Sequence, residues 1–138
     1  MPPVASPLES VTWLDLHPNV DDRGSLTAVE SGQSVPFDVQ RVYFLRDIVA
    51  DRAGHAHRDT RQVIVAVAGA FTVSLSDGRQ TRDFRCDDPG RGLYVVPMLF
   101  IRLRDFTPGT VALVFASTHY DKSRSLRSWD DYVKAIAC

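Results

Sequence analysis

The sequence breaks into short runs of β-branched and other apolar residues, with turn residues between them roughly every 8–12 positions. Two of these runs, Gln62–Val67 and Phe71–Leu75, are too short to be helices. The pair Asp77-Gly78 follows the second run, and Asp-Gly between two strand-like segments is the strongest short-range hairpin signal. This spacing predicts an all-β sandwich or barrel and argues against alternating strands and helices.

Further strands are predicted on the same grounds at Val11–Leu16, Ser25–Glu30, Gln40–Arg46, Gln80–Arg85, Leu93–Val96, Leu99–Phe106 and Thr110–Ala116. Along Leu99–Phe106 the polarity alternates, so that Ile101 and Leu103 share one face and Arg102 lies on the other. Residues 19–24 are rich in Asp, Asn and Gly and are predicted to form a turn.

A helix is predicted only at the end of the chain, over Ser128–Ala137. Ser128 is a natural N-cap, and two aspartates follow it in the first turn, where the positive end of the helix dipole favours them. The apolar residues recur at helical spacing and form one stripe, which consists of Trp129, Tyr132, Val133 and Ile136.

Length and composition exclude several classes of protein. The 138 residues suffice for one domain and not comfortably for two, so residues 1–138 are predicted to form a single domain. A hydrophobic fraction of 44% and a charged fraction of 24% exclude a disordered chain. The net charge of −1 argues against nucleic-acid binding, and no apolar run is long enough to span a membrane. With two distant cysteines and no signal-peptide pattern, the chain is expected in the reducing cytoplasm.

Two of the four histidines stand together in the segment His55-Ala56-His57. On a strand, residues i and i+2 point to the same side, so both imidazoles would face one cavity. The alternative is an edge strand that presents two histidines to solvent. The pair alone does not decide between these two interpretations.

The surroundings of this pair resemble the cupin superfamily, in which a His-x-His segment and a glutamate hold a metal inside a small β-barrel. Gln62 stands at the position of that glutamate, and Gly92–Pro97 resembles the second cupin motif, with Arg102 in place of its final histidine. A guanidinium cannot be deprotonated and repels a divalent cation. No metal is therefore expected, and two imidazoles without a metal suggest acid–base chemistry near neutral pH.

A narrower resemblance is to the cupin-type sugar 3,4-ketoisomerases, which act on dTDP-4-keto-6-deoxyglucose. The matching segments keep their order and spacing over about residues 11 to 135, and they are Asp22–Leu26, Gln40–Tyr43, Gly54–His57, Gln62, Gly92–Tyr94 and Ala116–Asp121. The resemblance implies an all-β, cupin-type jelly-roll barrel with a short C-terminal helix. It also implies movement of the keto group between C4 and C3 of a dTDP-linked 4-keto-6-deoxyhexose through an enediol. No cofactor is expected, and the lack of a Gly-rich dinucleotide loop agrees.

The resemblance also assigns roles to individual residues. It implies that His57 is the base for the C3 proton, and that His55 either assists proton transfer between the oxygens or acts at C4. Tyr43 would hold the sugar oxygens or relay a proton. The residues expected to bind the substrate are Arg23, Arg41, Gln62 and Arg102, although Gln62 could instead satisfy its own core neighbours. His17 and His119 are expected at the surface or in an interface. The residues expected on a solvated face are Lys122, Arg124 and Arg127.

Three other functions stay open at this point. A related cupin sugar 3,5-epimerase would be expected to use a His–Asp dyad, and the sequence offers no convincing aspartate partner. A metal-dependent oxygenase would need the metal ligands that Gln62 and Arg102 replace. A non-catalytic cupin that binds a nucleotide sugar would retain the same arginines.

The last expectation concerns assembly. Small cupin barrels expose open sheet edges, and an unpaired edge invites another chain. Val11–Leu16 is apolar, strand-like and preceded by a proline-rich arm. A homodimer that exchanges this N-terminal strand is therefore predicted.

Overall fold

The computed structural model describes residues 5–137, and this part of the chain is built mainly of strands. The strands are β1 (Thr12–Asp15), β2 (Asn19–Asp21), β3 (Gly24–Leu26), β4 (Arg41–Leu45), β5 (Arg52–His57), β6 (Gln62–Ala68), β7 (Phe71–Ser76), β8 (Thr81–Cys86), β9 (Arg91–Val95), β10 (Phe100–Arg104), β11 (Val111–Ala116) and β12 (Ser125–Leu126). One α-helix, α1 (Trp129–Ile136), follows them, and two short 3-10 helices lie at Pro7–Ser10 and Lys122–Arg124. Within the described residues, no helix has the length and apolar character that a membrane crossing requires.

The strands form two five-stranded antiparallel sheets and a separate hairpin. The first sheet has the order β1-β9-β6-β11-β4 and the second has the order β12-β5-β10-β7-β8, while β2 pairs with β3. Ile64 and Val114 from the first sheet pack in one apolar core with Val73, Leu75 and Ile101 from the second. Because the core lies between the sheets, the arrangement is an all-β sandwich consistent with the predicted cupin jelly roll.

Several predicted elements are confirmed. The hairpin at Asp77-Gly78 joins β7 to β8, and Gly78 has a φ of +95°, which an Asp-Gly turn requires. The C-terminal helix begins after Ser128, whose hydroxyl accepts a hydrogen bond of 3.1 Å from the backbone N–H of Asp131. The alternating strand after Leu99 is present as β10, but it ends at Arg104 because Asp105 adopts a φ of +55°.

The region before β4 differs from its prediction. The strand expected over Ser25–Glu30 is limited to β3, because the carbonyl of Glu30 accepts turn hydrogen bonds from Gln33 and Ser34. The turn expected at residues 19–24 is present but shorter, at Asp22-Arg23, and it joins β2 to β3, which pair in register Asn19↔Leu26. The segment predicted to exchange with a partner is β1, and in this chain it pairs with its own β9.

The helix α1 is fastened to the second sheet by a buried tyrosine. Tyr132 is fully buried, and its hydroxyl donates to the carbonyl oxygens of Met98 at 2.8 Å and Ser76 at 3.0 Å. The rings of Phe100 and Trp129 pack against it, with centroids 5.4 and 5.7 Å from that of Tyr132. The residues just before α1 are therefore held against β5, which carries the histidine pair.

Candidate active site

A cavity of about 710 Å³ opens beside the histidine pair. Its walls come from β4, β5 and β12, together with residues around Thr60 and the segment 118–121. The predicted site residues that line it are Arg41, Tyr43, His55 and His57. These residues come from β4, an edge strand of the first sheet, and from β5, the second strand of the other sheet, so residues distant in sequence meet in one pocket.

His55 and His57 share one face of β5, as the i, i+2 spacing predicts. Their ring centroids are 4.9 Å apart, and the ring planes are nearly perpendicular at 85°. His55 pairs with Ile101 of β10, a core residue, so this face points between the sheets. Since β5 is flanked by β12 and β10, the alternative of two histidines on a solvent-facing edge strand is wrong.

His57 lies in a setting that disfavours its charged form. Its Nδ1 is 3.5 Å from the Oγ of Ser125, and its Nε2 is buried with no hydrogen-bond partner among the described residues. Burial above all, together with the neighbouring His55, Arg41 and Arg127, lowers the pKa of His57 from 6.5 to about 4. The imidazole is therefore neutral at physiological pH, which leaves a lone pair able to accept a proton.

Tyr43 is positioned by Gln62. The side-chain amide of Gln62 donates to the Tyr43 hydroxyl oxygen at 2.9 Å, and Gln62 itself is only 2% exposed. Burial raises the pKa of Tyr43, although the positive charge of Arg41 opposes this. The phenol is therefore protonated and can donate to an oxygen in the cavity. Gln62 therefore forms a hydrogen bond to a neighbouring core residue, which is the second of the two roles predicted for it.

The cavity is rich in guanidinium groups. Arg41 lies between two aromatic rings, with its guanidinium carbon 5.3 Å from the ring centroid of Tyr43 and 5.5 Å from that of Tyr120. Its Nε is buried without a hydrogen-bond partner within residues 5–137. Further arginines on the walls are Arg52, Arg124 and Arg127, whereas the carboxylates there are Asp51 and Asp121. This excess of positive charge suits an anionic ligand.

Two predicted substrate-binding arginines do not line this cavity. Arg102 was placed at the position of an interior cupin ligand, and this is wrong because the buried residues of β10 on either side of it, Ile101 and Leu103, take the inward positions. Arg102 points outward and is exposed. Arg23 lies in the β2–β3 hairpin, where its side chain is 90% exposed and forms an ion pair of 2.6 Å with Asp21.

The residues expected on a solvated face after β11 are exposed, as predicted, and three of them also contribute to the cavity wall. His119, Arg124 and Arg127 line the cavity. The chain folds back there because Asp121 caps the 3-10 helix through the N–H of Ser123, and the next residues form β12. Arg124 also forms an ion pair with Asp59. A two-residue strand is too short to show periodicity in the sequence. The earlier pair Tyr120-Asp121 is a usable signal, because it belongs to the segment Ala116–Asp121 that resembles the ketoisomerases.

No set of three or more His, Cys, Asp or Glu side chains within the described part of the chain is arranged to hold a metal ion. The position of the cupin carboxylate ligand is filled by Gln62, which is engaged with Tyr43.

Known proteins resemble this chain in sequence and in fold. A TDP-4-oxo-6-deoxy-alpha-D-glucose-3,4-oxoisomerase of Aneurinibacillus thermoaerophilus is 38% identical over 120 residues, which are 86% of this chain and 86% of that protein. The sugar 3,4-ketoisomerase QdtA of Thermoanaerobacterium thermosaccharolyticum, crystallised with TDP, is 30% identical and superimposes with a TM-score of 0.91, over 94% of this chain and 96% of QdtA.

A histidine-to-asparagine mutant of the same QdtA, crystallised with TDP-4-keto-6-deoxyglucose, is also similar. It superimposes with a TM-score of 0.88 at 30% identity, over 91% of this chain and 93% of the mutant chain. The family model described as WxcM-like, C-terminal (FdtA) matches residues 9–137. This chain therefore belongs to the FdtA (WxcM-like, C-terminal) family.

Proposed function

We propose that the protein is a sugar 3,4-ketoisomerase that moves the keto group of a TDP-linked 4-keto-6-deoxyhexose from C4 to C3. The observation that carries the proposal is the joint position of His55, His57 and Tyr43 on one arginine-lined cavity. The Aneurinibacillus relative is named for this reaction, and QdtA binds TDP and TDP-4-keto-6-deoxyglucose. A cupin-type jelly-roll barrel provides the scaffold.

The reaction needs only proton transfers. The C3–H of a 4-keto sugar is acidified by the adjacent carbonyl, so a base can remove this proton and leave an enediolate over C3 and C4. The proton on O3 is lost as O4 gains one, and an acid then delivers a proton to C4. The C4 carbonyl becomes an alcohol while the C3 alcohol becomes a carbonyl, so atoms and electrons balance without an external oxidant. General acid–base groups are sufficient for each step.

Three side chains supply these groups. His57 is the base at C3, because its neutral imidazole carries a lone pair in a buried setting. His55, 4.9 Å away between ring centroids, transfers the proton between the oxygens or acts at C4. The protonated Tyr43 donates to a sugar oxygen. Gln62 orients Tyr43 by donating a hydrogen bond to its hydroxyl oxygen.

The arginines hold the nucleotide diphosphate. A guanidinium presents several donors in one plane and binds phosphate oxygens in pairs, so Arg41 and Arg127 are suited to a pyrophosphate in this cavity. Arg41 is fixed between two tyrosine rings and keeps an unpartnered Nε. Arg23 and Arg102 remain outside this group, since neither lines the cavity of its own chain.

The proposal extends to a homodimer that exchanges its N-terminal strand. β1 and β4 are the two edges of the first sheet, and an open edge pairs readily with another chain. On β4, Phe44 is 60% exposed and Val42 is 51% exposed, which provides apolar area for a partner. Light scattering is expected to give about twice the chain mass of 15.4 kDa. A mass that stays near one chain at micromolar concentration would contradict the dimer.

The activity is tested by incubating the protein with TDP-4-keto-6-deoxyglucose and identifying the product by NMR. We expect the ¹³C signal of the C4 carbonyl to be replaced by that of a C3 carbonyl. Conversion is expected to be equally fast in the presence of a chelator and without dioxygen, whereas an oxygenase would need both its metal and oxygen. Binding without conversion would contradict the ketoisomerase and support a non-catalytic binding protein.

A 3,5-epimerase is the less supported alternative. The relatives at 30% identity or more that are described above are ketoisomerases. Within the described residues, Nδ1 of His57 lies against the hydroxyl of Ser125 rather than a carboxylate, so the His–Asp dyad expected of an epimerase is not formed at this nitrogen.

A further inference from the structure

The short strand β12 places one hydroxyl against the ring of His57. β12 pairs with β5 in register Ser125↔His57 and Leu126↔Ala56, and both members of the second pair are buried. The backbone N–H of Arg58 also donates to the carbonyl of Arg124 at 3.1 Å, which fixes the chain before Ser125. The position of the Ser125 hydroxyl is therefore set by backbone pairing on both sides.

The two nitrogens of His57 have different surroundings. Nδ1 is 3.5 Å from the Oγ of Ser125, whereas Nε2 is buried and has no partner within the described residues. A neutral imidazole carries one proton, on one of these nitrogens. An unpaired buried N–H is costly and rarer than an unpaired acceptor. The surroundings thus favour a proton on Nδ1, where the hydroxyl oxygen accepts it, and a lone pair on Nε2.

We infer that Ser125 is a positioning residue, which holds the proton of His57 on Nδ1 and so leaves Nε2 as the basic nitrogen of the imidazole. The inference rests on the proposed function, in which His57 removes the C3 proton. The distance of 3.5 Å between Nδ1 and Oγ is at the long end for a hydrogen bond, and hydrogen bonds of catalytic groups commonly shorten when substrate binds.

A hydroxyl has a different effect from the carboxylate that orients histidine in many enzymes. A carboxylate raises the basicity of the imidazole because its charge stabilises the imidazolium. Ser125 carries no charge, so it can set the tautomer without raising the pKa of His57, which agrees with the low pKa of this group. Loss of the hydroxyl removes one hydrogen bond, and we expect kcat to fall about tenfold.

The experiment uses the wild type and four variants, which are studied by NMR and kinetics. Long-range ¹H–¹⁵N spectra of the imidazole nitrogens, recorded at pH 7 without substrate, report the His57 tautomer, and His57→Asn identifies its signals. We expect the Nδ1–H tautomer in the wild type and Ser125→Thr, and a shift towards Nε2–H in Ser125→Ala. The matched control is Ser123→Ala, because Ser123 is exposed and its hydroxyl donates a hydrogen bond to Asp121 rather than to His57. It should behave as the wild type.

Turnover provides the second readout. In Ser125→Ala, kcat is expected to fall about tenfold with KM within about twofold of the wild-type value, and Ser125→Thr should restore kcat. An Nε2–H tautomer in the wild type would overturn the inference, even if no variant could be purified. An unchanged tautomer and kcat in Ser125→Ala would overturn it as well. A wild type that shows the Nδ1–H tautomer but does not convert TDP-4-keto-6-deoxyglucose would instead count against the proposed function.

Discussion

Replacement of His57 by asparagine is expected to lower kcat by a factor of about 10²–10⁴, because loss of a general base typically has an effect of this size. The asparagine amide has a similar shape and can still hydrogen-bond, but it cannot accept the C3 proton. The affinity for TDP is expected to stay within about twofold, since the arginines and not His57 contact the pyrophosphate in the proposed complex. Steady-state kinetics and calorimetric titration with TDP measure the two quantities separately.

His17→Asn is the matched control for this variant. His17 does not line the cavity, its side chain is 84% exposed, and its φ of +52° is one that asparagine readily adopts. Wild-type turnover is expected from it. Should His57→Asn retain turnover within a factor of about two of the wild type, His57 cannot be the base.

The free energy of unfolding is expected to decrease by up to about 3 kcal/mol through His57 alone as the pH falls from 6.5 to 4. The pKa of His57 is about 4 in the folded protein and about 6.5 in the unfolded chain, so the unfolded chain binds more protons between these values. The contribution of the neutral His57 to the free energy of unfolding is complete above pH 6.5 and is lost as the pH falls towards 4. Its main cause is burial of the ring, followed by the charges of His55, Arg41 and Arg127, while Asp59 opposes them.

The measurement is urea unfolding at several pH values for the wild type and His57→Asn. Carboxylates that titrate in the same range affect both proteins alike, so the difference between the two curves isolates His57. The wild type should lose stability relative to the variant as the pH falls below 6.5. Parallel curves over this range would show that the pKa of His57 is not lowered by the fold.

The sequence predicts the architecture well where a local signal exists. The valine-rich run that became β6, the Asp-Gly hairpin after β7 and the capped C-terminal helix all carry such signals. The region between β3 and β4 does not, because Val35 and Phe37 are buried there in an irregular segment. Their burial is a tertiary effect, since Phe37 packs on the ring of Tyr94 with centroids 6.4 Å apart.

The site could be predicted in part. The i, i+2 spacing is enough to place His55 and His57 on one face, and likewise Arg41 and Tyr43. The same alternation places Arg102 outside, because Ile101 and Leu103 are the apolar members that turn to the core. The resemblance to the second cupin motif predicted an inward position for Arg102, whereas the alternation of apolar residues predicted the outward position that the structure has.

The wall formed by residues 118–127 could not be predicted from local patterns. Arg124 and Arg127 lie in a largely polar segment whose sequence is typical of a solvated surface. They reach the cavity only because β12 pairs with β5 and Tyr132 anchors the following helix to the carbonyls of Ser76 and Met98. These contacts join residues more than 30 positions apart, so no short window of sequence contains them.

The central claim, a keto shift through an enediol, is tested most directly by running the reaction in D₂O and locating deuterium by NMR. The account predicts a 3-keto product with deuterium at C4 and none at C5, because the protons move only at C3, at C4 and on their oxygens. Deuterium at C5 would show epimerase chemistry and contradict the account. Recovery of the 4-keto sugar without any 3-keto product would contradict it equally.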